Sequence, residues 1–143
     1  MSCRFMRWIS LIGLLLASCA SDHPMKVENT WVRKVLPSQS VTAGYFTVTN
    51  TGSADDRLLS VSAAGFKTVE LHEMAIDDRS VMRMRRTGPL VIAAGETLTL
   101  KRGGYHLMLI EPQYAIAVGN DIPLTLTFER AGELAIPARV RNE

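Results

Sequence analysis

From Trp31 onward, apolar residues come in short alternating runs, cut at close intervals by turn-forming residues. The candidate strands are Trp31 to Leu36, Gly44 to Thr49, Arg57 to Ser62, Thr68 to Ile76 and Val81 to Arg86. Leu90 to Ile92, Thr97 to Lys101, Tyr105 to Ile110, Pro123 to Glu129 and Leu134 to Val140 follow. Between them stand Pro37-Ser38, Asn50-Thr51-Gly52, Gly88-Pro89, Gly95, Gly103-Gly104 and Gly119-Asn120-Asp121. A period of two puts successive side chains on opposite faces, and many short strands with regular turns make a sandwich or barrel. No long stretch keeps a helical period, and no internal repeat is visible. The reading is all-β.

The first residues follow different rules. Arg4 and Arg7 precede an apolar run from Ile9 to Ala17, too short for a comfortable membrane span and patterned like a secretory leader. The run closes on Leu16-Ala17-Ser18-Cys19, which resembles the bacterial lipobox, where the cysteine becomes the lipidated first mature residue. The expected division is a leader over 1–18, lipidated Cys19 with a tether over 19–27, and one β domain over 28–143. Cleavage leaves 143 − 18 = 125 residues, a normal single-domain length. Each buried lipid methylene contributes about 0.8 kcal/mol, so several chains would anchor a small domain firmly.

Processing also changes the chemistry available. The leader carries two arginines and no acid, so the formal mature charge is +2 − 2 = 0, and nothing points to nucleic acid. Cys3 leaves with the leader and Cys19 is acylated, so the domain has no thiol. That excludes thiolate zinc sites, iron–sulfur clusters, blue-copper sites and dithiol exchange. With two histidines in the domain, a serine-hydrolase triad has little to work with, and no nucleophile–base arrangement compels an enzyme.

Four of the five mature methionines and two of the three histidines fall between His72 and Met108. A hairpin of Thr68–Ile76 and Val81–Arg86 centred on Asp78 sets His72 against Met84 and Met74 against Met82, all on one face. It also pairs Glu70 with Arg86 and Glu73 with Arg83. In the strand after Gly103-Gly104, His106 and Met108 point one way and Leu107 and Leu109 the other. Two imidazoles and two thioethers could meet there. Thioether sulfur is soft and neutral and suits Cu(I) over Zn(II), Mg(II) or Ca(II). On the residues alone, two readings stand: a metal site, or two partly buried histidines among core methionines. His23 and Met25 are read as tether. Trp31, Tyr45, Phe46 and Phe128 are read as core, and Arg83, Arg85 and Arg86 as a solvated strand face rather than a surface for an acidic partner.

The spacing resembles the PCuAC family of periplasmic copper chaperones. Their motif is a histidine, an often-Met position, ten residues, a methionine, twenty-one residues, then His-x-Met. Here stand His72, Glu73, ten residues, Met84, twenty-one residues and His106-Leu107-Met108. Ala43-Gly44-Tyr45-Phe46, Asp56-Arg57-Leu58-Leu59, Val69-Glu70-Leu71-His72-Glu73 and Gly103-Gly104-Tyr105 also look like the family, over roughly Val27 to Val140. Glu73 replaces the optional methionine. The lipobox departs from the many members that look freely soluble, and the His- and Met-rich tail of some members is not matched.

The resemblance implies a cupredoxin-like Greek-key β-sandwich holding Cu(I) through His72, Met84, His106 and Met108. It implies a monomeric, non-enzymatic periplasmic chaperone on a lipid anchor. Its partners would be the copper subunit of cytochrome c oxidase, whose binuclear centre it would supply, and Sco-type copper proteins. A copper-buffering lipoprotein and a metal-free interaction module remain as alternatives.

Overall fold

A sheet buries its apolar face against helices, a second sheet or itself, and among the described residues there is no helix to cover it. The computed structural model describes residues 23–143, so the leader and the Cys19 lipidation site lie outside the described residues. Ten strands follow one another: β1 (Met25–Arg33), β2 (Val41–Asn50), β3 (Asp56–Ala63), β4 (Phe66–Ile76) and β5 (Met82–Arg86), then β6 (Leu90–Ile92), β7 (Thr97–Leu100), β8 (Tyr105–Pro112), β9 (Asp121–Phe128) and β10 (Gly132–Arg141). They pair in the order β5-β4-β8-β2-β1-β10-β9-β3-β6, with β7 added on β2. Among the described residues only β1 and β10 run parallel.

Every strand but β5 sends side chains into one core. Val32, Phe46, Leu58, Leu71, Ile92, Leu100, Leu107, Leu124 and Val140 belong to it, one each from the nine. Strands as far apart in the order as β4 and β6 can share a core only because the sheet curls. On β9 the alternation is clean: Ile122, Leu124, Leu126 and Phe128 are buried. β5 is exposed along its whole length and forms one edge.

Each expected strand is present, Leu90–Ile92 with its expected bounds and the others with shifted ends. Met25–Val27, read as tether, are the first residues of β1, and Met25 is in the core. They pair with Val48–Asn50 of β2, and the alternation Met25-Lys26-Val27-Glu28 puts Met25 and Val27 on the inner side. The register slips between Glu28 and Trp31, where Asn29 takes a left-handed φ of 53°, as asparagine tolerates. Tyr45, Phe46 and Phe128 are buried as expected, whereas Trp31 is half-buried. Gly44 brings β2 close to β8, because a Cβ there would meet Leu109 Cδ1 at 3.0 Å and Leu107 Cβ at 3.4 Å.

Candidate metal centre

The site begins with the β4–β5 hairpin and the residue that closes it. The Asp77 carboxylate accepts the N–H groups of Arg79 at 2.9 Å and Val81 at 3.0 Å, and Arg83 Nε donates to its other oxygen at 2.5 Å. Asp77 and Val81 close the loop through their backbones at 2.9 Å, and Ser80 takes a φ of 60°. The turn is therefore centred on Arg79, not Asp78. A side chain that binds its own backbone fixes such a loop without glycine.

This corrects the expected register by two residues. His72 lies opposite Arg86, Met74 opposite Met84 and Ile76 opposite Met82. Two residues is a full side-chain period, so His72, Met74, Met82 and Met84 still share one face. The expected Glu70–Arg86 contact exists at 3.3 Å, although the two are diagonal. Glu73 instead meets Arg85, and Arg83 goes to Asp77. Each of the three β5 arginines thus has its own carboxylate, which fits the solvated-face reading; exposed pairs of this kind contribute about 0–1 kcal/mol each.

On its other side β4 pairs with β8, where His72 faces His106 directly and Glu70 faces Met108. The two imidazole centroids are 5.9 Å apart. Hydrogen bonds assign each ring a tautomer. His106 Nδ1 donates to the Gly104 carbonyl at 3.1 Å, which leaves the Nε2 lone pair free. His72 Nε2 lies 2.8 Å from Glu70 Oε2, and its buried Nδ1 has no hydrogen-bond partner. A carboxylate that accepts a hydrogen bond from one ring N–H leaves the other nitrogen as a metal-ready base. The His72 hydrogen bond and the positive charge of Arg86 hold the Glu70 carboxyl below its ordinary range, against the opposing effect of burial.

Beside the histidine row lies an open cavity of about 380 Å³, whose lining includes Met74, Met84, His106 and Met108. His106 is 5% exposed and Met84 50%, so the donors grade from interior to solvent. Tyr45 forms a wall and stacks at 4.6 Å on Trp31, which carries Arg102 and Arg141 at 5.6 Å each. Of the four expected ligands, Met84, His106 and Met108 line this cavity, while His72 stands next to His106 just outside the lining. Met74 lines it too and had no expected role. Its alternation with His72 was the sequence signal. Met25 is core, and His23 accepts the Met25 N–H through Nδ1 at 3.1 Å.

A cupredoxin-like all-β domain with imidazole and thioether donors at one sheet edge is the PCuAC type of domain. The chain belongs to the LpqE-like family, described as putative lipoprotein LpqE-like, which matches residues 25–140. The copper-bound PCuAC domain from PmoF2 superposes with a TM-score of 0.72 at 29% identity, over 84% of this chain and 94% of that one. The solution structure of Cu(I)-bound DR1885 from Deinococcus radiodurans gives 0.62 at 28% identity, over 83% and 77%. A putative lipoprotein of Leifsonia xyli subsp. xyli is 26% identical, over 92% of this chain and 86% of its own length.

Proposed function

We propose that this protein is a Cu(I) carrier that holds one ion through His72, Met84, His106 and Met108 and hands it to another protein. The carrying observation is the histidine row: two imidazoles in register, each with one nitrogen hydrogen-bonded and the other free, beside thioethers at a cavity. Two copper-bound relatives of similar fold support the choice of metal.

Four neutral donors leave the bound ion its single positive charge. Soft sulfur discriminates against harder divalent ions. The exposed Met84 is the point where an incoming donor can displace a thioether while the buried His106 still holds the ion. Such stepwise exchange is carriage rather than catalysis, and copper is the cargo. The acceptor is the copper subunit that builds the binuclear centre of cytochrome c oxidase, with Sco-type copper proteins as further partners. The lipoprotein description of the family supports a Cys19 lipid anchor and a periplasmic, membrane-attached location.

Cu(I) titration followed by mixing with the apo copper domain of the oxidase tests this. One equivalent should bind and then move to the oxidase domain. Tight binding without transfer would leave a copper-storing lipoprotein, and no binding would leave a protein-interaction module.

A further inference from the structure

Met74 is the thioether at the cavity that the four-donor set leaves idle. It sits directly across from Met84 in the hairpin, where cross-strand neighbours have Cβ atoms about 4.5–5.5 Å apart. Its backbone N–H donates at 3.2 Å to the Gly104 carbonyl, the same oxygen that accepts His106 Nδ1 at 3.1 Å. One carbonyl thus fixes both Met74 and the His106 ring. Met74 is two positions from His72 on the same face, roughly 7 Å further along the strand. Met74 lines the cavity with Met84, His106 and Met108, and His72 does not.

We infer that Met74 is a fifth, exchangeable copper donor: the ion swaps the His72 nitrogen for the Met74 sulfur while Met84, His106 and Met108 keep hold. One Cu–N bond breaks as one Cu–S bond forms. Copper stays Cu(I), no proton or electron is needed, and both donor sets are neutral. The His72 set places the ion in the histidine row, and the Met74 set moves it to the open cavity. Met74 is thereby a release position, which deepens the carrier reading and rests on it.

The test uses the full mature chain loaded with one Cu(I), as wild type, Met74→Leu, His72→Ala and the double variant. Leucine is close to methionine in volume, and thermal melts would show that each variant folds. Sulfur and nitrogen neighbours are counted by X-ray absorption, and affinity is read by chelator competition. His72→Ala should still bind one Cu(I), now with three sulfurs and one nitrogen. The double variant should lose affinity beyond the product of the single losses, by about tenfold or more. Met74→Leu alone should slow copper release to excess chelator. Two sulfurs in His72→Ala, or multiplicative losses in the double variant, would overturn the Met74 role and leave copper carriage intact. A wild type that takes no Cu(I) would sink both.

Discussion

Asp56 gives the fold a sharp mutational test, because it is 4% exposed and its carboxylate ties the start of β3 to the β9–β10 turn. Its Oδ1 accepts the N–H of Arg57 at 2.8 Å and of Arg130 at 2.9 Å, and its Oδ2 accepts that of Ala131 at 2.9 Å. Asn can keep the first two bonds but points an amide donor at the third N–H, which should cost about 1–2 kcal/mol. Ala strands all three donors and should cost about 3–5 kcal/mol. Burial pushes the carboxyl pKa up, but the three backbone bonds and the positive charge of Arg130 together hold it below 3.8. A depressed folded-state value means the contribution is whole above about pH 4 and fades as the pH falls through that lower value. Urea unfolding of wild type and Asp56→Asn should therefore differ by about 1–2 kcal/mol at neutral pH and converge in strong acid. The proposed copper donors sit on β4, β5 and β8, whereas Asp56 starts β3 near the opposite end of the sheet order, so Cu(I) affinity at neutral pH should not change. An Asn variant as stable as wild type, or a gap that widens in acid, would refute this account.

Asp77→Ala should loosen the β4–β5 turn and lower Cu(I) affinity by about tenfold through misplacement of Met84, while the core melts almost unchanged; chelator competition and thermal unfolding would check the two separately. Zn(II) in large excess should fail to displace Cu(I), and equal competition in a mixed-metal titration would reject the thioether set. Cys19→Ser should leave an unprocessed or mislocalised precursor; fractionation with membranes and cleavage as in wild type would dismiss the anchor.

Much of the sandwich was legible because alternation is local. Runs such as Ile122 to Phe128 announce both the strand and its buried face. Non-local causes were not legible. Met25–Val27 are held in β1 by Val48–Asn50, more than twenty residues away; the alternation Met25-Lys26-Val27-Glu28 was the local signal, and Asn29-Thr30 interrupts it before Trp31. The hairpin register missed by two because it depends on the Asp77 carboxylate choosing the loop, yet the shared face survived because two residues restore the side-chain direction. The spacing located the histidines and methionines. Spacing carries no information about ring tautomers, which depend on Glu70 and on the Gly104 carbonyl. Trp31 looked like core and instead lies half-buried under two arginines, a contact between β1 and distant residues.

The pH dependence of Cu(I) affinity tests the proposed donors most directly, since imidazole binds metal only when unprotonated and thioether does not titrate. Chelator competition on a soluble form begun just after Cys19, from about pH 7.5 to about 5, should show affinity falling by up to about two decades per unit, easing toward one decade where Met74 takes the place of protonated His72. His106→Met should lower that slope by about one decade per unit, and Met84→Leu should lower affinity at every pH with the slope unchanged. One bound Cu(I) with this pattern is the predicted result. A His106→Met protein with the wild-type slope would contradict it and remove the histidine row from the metal centre.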